Sequence, residues 1–289
     1  MLNRVAIIGF GEVGGIFASD LHAAGVTRIA VFDANQAART RAFSHAGVTS
    51  CDSAQAAVEQ ADLVIIAVTA AATLDAVRAS LAGLRHAPLV VDVTSVSPGT
   101  RQEADRLVTA AGGRYVEAAI MTSVPPKGIG SPMLLGGVHA AAFVEAVDGL
   151  GMQLTLFASE IGKASAVKMC RSVMIKGLEA LAMESMLAAR RYGVEETVLK
   201  SLNDTLPHAD WTALAGYLVS RSLLHGRRRA EEVREVVRTV SDIDVEAIMS
   251  TAIAQRQQWA YDVGQRIAPE TIRSADLIQM LDAITASGS

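Results

Sequence analysis

The sequence predicts an α/β protein, a doubly wound parallel sheet followed by an all-α C-terminal domain. Three observations carry this. Short apolar runs alternate with helical patterns through the first half. A glycine-rich turn follows the first run. After Phe157 the strand-like runs stop, and a helical character rich in Met, Ala and Leu takes over.

The first runs are Val5–Ile8, Ile29–Phe32, 63–68 and 89–93. They are almost continuously apolar, as strands buried on both faces should be. The Ala- and Leu-rich segments between them are long enough for crossover helices, so the strands should pair in parallel. Further strand candidates are 115–121, 133–135 and 153–157. Residues 161–192 contain no Pro and, after Gly162, only Gly177 as a glycine, and read as one long helix of good helix formers. That helix is apolar nearly all round, which predicts burial. From Glu195 the chain reads as further helices, broken at Pro207 and Pro269. Asp210 is an N-cap candidate there, and the neighbouring His208 is assigned no role. The boundary near Glu160 gives domains 1–160 and 161–289.

A chain of 289 residues with 51% hydrophobic and 19% charged residues is foldable. A net charge of −4 argues against nucleic acid as a partner of the whole chain. Cys51 and Cys170 form no CxxC pair, and no Cys/His cluster has zinc-ligand spacing. No metal and no disulfide framework are expected. No signal-peptide pattern and no membrane-length apolar run is present. The expectation is a soluble cytoplasmic protein with no membrane partner.

The glycine motif is Gly9-Phe10-Gly11-Glu12-Val13-Gly14. The first Gly allows a tight turn, the second a close approach of backbone to a pyrophosphate, the third helix–strand packing. The helix that follows offers free N–H groups and a positive dipole end. Asp33 lies at the end of the second run, 19 residues after Gly14. That is close to the spacing of the acid that binds the adenosine ribose and repels a 2′-phosphate. Strand, glycines, helix and acid together describe a Rossmann-type NAD(P) site, with NAD favoured and NADP possible. Gly9, Phe10, Gly11, Glu12, Val13, Gly14 and Asp33 form its core, with Val68, Thr69 and Thr94 at the ends of later strands.

At the start of the long helix, Ser165, Lys168, Ser172, Lys176 and Glu179 recur at three- or four-residue spacing and share a face. A lysine in a largely apolar helix needs a partner or a wet cleft, and desolvation suits it to general base chemistry. A lysine snorkelling at the helix edge is the alternative, and spacing alone does not choose.

Three segments resemble the β-hydroxyacid dehydrogenase family, which includes 6-phosphogluconate and 3-hydroxyisobutyrate dehydrogenases. The first is 9–14, with Gly25 ending the first crossover. The second is Asp92-Val93-Thr94-Ser95-Val96-Ser97-Pro98, similar to D-x-S-T-x-x-P. The third is Gly162-x-Ala164-x-x-x-Lys168, similar to G-x-G-x-x-x-K. The resemblance spans about 5–180 and implies that Lys168 is the catalytic acid/base. It also exposes departures. Ser172 stands where the family has Asn. The family's D-x-P-V-S-G-G loop appears as 117–123, with Met121 at the substrate-binding Ser. Thr122 or Ser123 would then supply the hydroxyl. The 124–128 stretch departs as well, and the whole suggests a divergent branch.

His225-Gly226-Arg227-Arg228-Arg229 is followed by Glu231 and Glu232. Arg227/Glu231 and Arg228/Glu232 at i,i+4 fit an ion-paired helix start. An anion clamp for a substrate carboxylate or phosphate is the functional reading, and the family's K-D-L segment falls nearby. The assignment goes to Arg228.

Together these readings describe an NAD(P)-dependent oxidoreductase, a dehydrogenase of a small (β-)hydroxy acid. Decarboxylation follows if the keto product carries a β-carboxylate. An anionic small-molecule substrate binds through Thr122, Ser123, Ser172 and Arg228, and the protein is a homodimer through its C-terminal helices. The alternatives are an imine reductase on the same scaffold and an NAD(H)-sensing protein without turnover.

Overall fold

A computed structural model describes residue 2, residues 4–205 and residues 210–287. Pro207 and His208 lie outside the described residues. The strands are β1 Val5–Ile8, β2 Ile29–Phe32, β3 Val48–Ser50, β4 Leu63–Ile66, β5 Leu89–Asp92, β6 Arg114–Ile120, β7 Met133–Gly136 and β8 Leu154–Ala158. They form one sheet in the order β3-β2-β1-β4-β5-β6-β7-β8. Neighbours are parallel except β6 and β7. The helices are α1 Glu12–Ala23, α2 Gln36–Ala42, α3 Ala54–Val58, α4 Thr73–Ser80, α5 Pro98–Ala110, α6 Ala140–Ala146, α7 Lys163–Tyr192, α8 Glu195–Thr205, α9 Trp211–Ser241, α10 Ile248–Gly264, α11 Pro269–Arg273 and α12 Leu277–Ser287.

Contacts divide the chain into two units, Met1–Met169 and Cys170–Ser289. In the first, the sheet is covered on both sides, and the period-two alternation of each strand supplies two cores. Val5, Ile7, Ile65 and Val91 pack with Phe17 and Leu21 of α1 and Phe143 of α6. Ala6, Ile8, Val64, Ile66 and Val90 pack with Val58 of α3, Val77 of α4 and Val108 of α5. That is why these strands read as unbroken apolar runs. In the second unit, Met183 and Met186 of α7, Val219 and Leu223 of α9, Val263 of α10 and Met280 and Leu281 of α12 share one core.

Local capping sets several helix starts. Asn35, Ser53 and Ser97 each accept from a backbone N–H of the helix they open, and Pro98 begins α5. Asp210 caps α9 by accepting from Ala213 N at 2.8 Å, as its position suggested.

Four features differ from the sequence reading. The edge strand β3 was not foreseen, because Val-Thr-Ser is too short and polar to signal itself. β7 runs antiparallel to β6, which alternation alone cannot show. The long helix is not buried all round: Met174, Leu178 and Leu181 are 65%, 44% and 58% exposed. Residues 227–229 do not start a helix but lie inside α9, beginning sixteen residues after its first residue, Trp211. Of the two expected i,i+4 pairs, Arg227 approaches Glu231 at 3.8 Å, whereas Glu232 pairs with Lys176 of α7 at 3.0 Å.

Candidate active site

The strand order reverses at β1 and β4, and in open α/β sheets a ligand crevice forms outside the carboxyl ends of strands at such a point. Gly9 leaves β1 with φ +101°, and a Cβ there would overlap the Ala67 carbonyl. A Cβ on Gly14 would overlap the Gly9 carbonyl, so β1 and α1 can approach only as glycines allow. Gly11 is different. A Cβ there would meet nothing within 4 Å. Gly11 is also the N-cap of α1, and no side chain caps it. Open space before a helix N-terminus without a side-chain cap fits a dinucleotide pyrophosphate. Glu12 is exposed and Val13 half-buried beside it, while Phe10 is buried.

Asp33 follows β2. Its Oδ2 accepts from Phe10 N at 2.7 Å and its Oδ1 from Asn35 N at 2.7 Å. The carboxylate thus fixes the glycine turn while keeping lone pairs for a ribose. Arg39, which the sequence reading passed over, donates to the Asp33 carbonyl at 2.5 Å and stacks on Phe32. Val68 and Thr69 lie beyond the end of β4, half-buried and exposed respectively. Thr94 lies beyond β5, but its hydroxyl is committed to Asp92 Oδ1 at 2.7 Å.

Asp92 anchors a buried cluster. Arg101 pairs with its carboxylate at 2.7 Å and also reaches the Asp92 and Thr94 carbonyls. Tyr115 donates to Asp92 Oδ2 at 2.9 Å, and burial, reinforced by Asp92, pushes the phenol pKa well up, so it stays protonated. Burial alone pulls Arg101 down, but Asp92, Tyr115 and Glu117 outweigh it and the net shift is upward. The cluster holds rigid the D-x-x-x-x-x-P segment at the mouth of β5.

Glu117, buried in β6, supplies what the sequence did not show. Its carboxylate accepts from Gly162 N at 2.7 Å, Ala164 N at 2.6 Å and Ser165 N at 3.2 Å. An acid from the sheet therefore satisfies the first amides of α7 in place of a local cap. Lys168 stands on the second turn of this helix, half-buried. Thr122 and Ser123 are exposed in the loop after β6. The one sequence signal for Glu117 was a carboxylate inside an apolar run.

The second unit carries its own polar cluster. Ser172, Lys176 and Glu179 of α7 are buried. Lys176 pairs with Glu232 at 3.0 Å and donates to Ser172 Oγ at 3.2 Å. Glu179 pairs with Arg229 at 2.7 Å and accepts from Gln257 at 3.2 Å. Arg227 approaches Glu231 at 3.8 Å. Arg228 is exposed and makes no ion pair among the described residues. No His/Cys/Asp/Glu group able to hold a metal occurs among the described residues. No helix of the described residues is long and apolar enough to cross a membrane.

Comparison with known proteins agrees with this arrangement. The family model described as the NAD binding domain of 6-phosphogluconate dehydrogenase matches residues 4–150, and a Domain of unknown function (DUF1932) matches 189–260. A conserved hypothetical protein from Sinorhizobium meliloti 1021 is 32% identical, with 98% of this chain and 97% of that chain covered and a TM-score of 0.74. Conserved Protein MTH1747, reported as structurally similar to 3-hydroxyacid dehydrogenases, is 34% identical. The match covers 90% of this chain and 97% of that one, at a TM-score of 0.70. The Mycobacterium tuberculosis 3-hydroxyisobutyrate dehydrogenase shares the fold at 16% identity, 99% coverage of both chains and a TM-score of 0.72. With the glycine turn, Asp33 and the sheet reversal in place, the chain belongs to the NAD(P)-binding β-hydroxyacid dehydrogenase family, in a divergent branch.

Proposed function

We propose that the chain is an NAD(P)-dependent dehydrogenase of a small β-hydroxy acid, with Lys168 as general acid/base and NAD preferred. The observation that best supports this is the start of α7. Glu117 ties the helix N-terminus to the sheet, one turn before a half-buried lysine. A fixed helix start holds such a lysine to one geometry, as proton transfer requires.

Gly9, Gly11 and the first turn of α1 would hold the pyrophosphate, with Asp33 on the adenosine ribose. A bound nicotinamide would supply the hydride acceptor. Lys168 takes the hydroxyl proton as the adjacent C–H bond gives up hydride. Thr122 and Ser123 bind substrate oxygens, and Ser172 joins them. Arg228 is the guanidinium of the three that stays exposed without an ion pair, which suits it to the substrate's anion. The helical part, 161–289, serves substrate binding and a homodimer, and the protein works in the cytoplasm.

The test is a hydroxy-acid panel with both NAD and NADP, and cyclic imines as a second arm. Lys168→Met should lower kcat by about 10²–10⁴ and leave NADH affinity nearly unchanged. Turnover within about threefold of wild type would remove Lys168 from the chemistry. Imine reduction without hydroxy-acid oxidation would make the chain an imine reductase. Tight NADH binding without any turnover would make it a sensor.

A further inference from the structure

The edge of the sheet opposite the glycine turn carries a second concavity. β1, β2, β4, β5 and β6 run parallel, so their first residues lie together on that edge. A cavity of about 400 Å³ opens there, within the size range of small-molecule pockets. Arg4, Arg28 and Arg114 line it, each at or next to the amino end of a different strand, β1, β2 and β6. Asp62 is its acidic lining residue among those described, and the Oδ2 of that carboxylate accepts from the Arg4 amide at 3.0 Å.

The loop before β5 is shaped around this cavity. His86 and Ala87, which both line it, have left-handed backbone at φ +67° and +49°. Non-glycine residues rarely take this region, and two in succession persist only where their surroundings hold them. Here the turn brings the Ala87 carbonyl to Arg114 Nε at 2.9 Å. The bond fixes that guanidinium by its inner nitrogen and leaves the outer two as a fork, a geometry suited to phosphate or carboxylate oxygens. A larger cavity of about 650 Å³ adjoins the first through Asp62 and Arg114, and its further charged lining residues are Glu145 and Asp148. The change of sign bounds the cationic cavity on that side.

The geometry points to a second ligand site on this edge, for a small polyanion bearing phosphate or carboxylate groups, gripped by Arg4, Arg28 and Arg114. It lies at the opposite end of β1 from Gly9 and of β6 from Thr122, so it is distinct from the cofactor turn and from the substrate loop. The same cations could instead balance the carbonyls at the end of α3, since Gln60 and Ala61 just beyond it border the cavity. But α3 has only five residues, and three guanidiniums exceed what so short a dipole attracts.

Calorimetric titration of inorganic pyrophosphate, and separately of citrate, into the full-length protein saturated with NADH tests the site, because NADH fills the phosphate-binding turn of α1. At low salt at least one probe should bind with a Kd below about 1 mM, and more weakly as chloride is added. Arg28 is exposed. Arg28→Ala should weaken binding about tenfold, the scale of one lost charge-assisted hydrogen bond. Arg114→Gln should weaken it at least as much, and if that variant fails to fold, Arg28→Ala decides. Arg85, 3.9 Å from Glu59 and outside the cavity lining, is the control, and Arg85→Ala should leave affinity unchanged.

Tighter binding of pyrophosphate identifies a phosphate ligand, and tighter binding of citrate a carboxylate one. No binding of either probe, binding that NADH abolishes, or equal affinity in folded Arg28→Ala overturns the site. A lower melting temperature in Arg28→Ala, with no probe bound by wild type, would assign the arginines to the helix end instead.

Discussion

Arg221 lies 2.9 Å from Nε2 of His225, and a guanidinium has only donors to offer. The imidazole must accept, so it is neutral. Burial, then Arg221, Arg228 and Arg229, lowers its pKa from 6.5 to about 4. Between those two values the unfolded chain binds more protons than the folded one, so stability falls on acidification and is level above pH 6.5. His225→Gln, which keeps an acceptor and cannot charge, should flatten the fall in melting temperature between pH 6.5 and 4. Equal slopes for the two proteins would refute this. Nearby, burial raises the pKa of Glu179 and lowers that of Arg229, although each attracts the other. Both shifts favour the neutral forms. This pair defines a geometry more than it adds stability, as buried ion pairs commonly do.

At the scale of elements, β6 and α7 are joined by one carboxylate. Glu117 stands 45 residues before Gly162 and accepts three helix-start amides. Gly136 on β7 makes the room: a Cβ there would come within 2.8 Å of the Glu117 side chain. Glu117→Ala leaves buried amides without acceptors, which should cost at least about 2 kcal/mol. The amides of Gly162, Ala164 and Ser165 should exchange with solvent deuterium roughly 30-fold faster on that scale. Gly136→Ala should mimic the effect in part. Unchanged protection in Glu117→Ala would show that another group caps the helix.

At the scale of the molecule, α7 leaves an apolar stripe uncovered. Met174, Leu178 and Leu181 recur at helical spacing and remain exposed, with Ile175 beside them at 38%. Exposed contiguous apolar surface marks an interaction site more often than chance. A second copy of the chain is the proposed cover, consistent with the prevalence of two-fold homodimers. Light scattering at micromolar concentration should give twice the chain mass for wild type. Leu178→Glu with Leu181→Glu should give a single-chain mass with the same helical content. A monomeric wild type would refute the dimer.

What the sequence determined by itself was local or periodic. The strands 5–8 and 29–32, the glycine turn, Asp33 and the 30-residue helix follow from spacing over a few residues. Steric rules for glycine and the burial of alternating side chains act at that range, so they leave a readable trace. What the tertiary structure decided involves partners far apart in sequence. Glu117 reads only as a carboxylate inside an apolar strand until α7 is placed against it. Lys176 and Glu232 are 56 positions apart, and Arg229 meets Glu179 across 50. Three adjacent arginines look alike in sequence; packing of α9 buries one, pairs another at the surface and leaves Arg228 exposed. The antiparallel turn of β7 and the bare face of α7 are decided in the same way. Hydrogen bonds and burial depend on distance in space, and only the assembled fold assigns those distances.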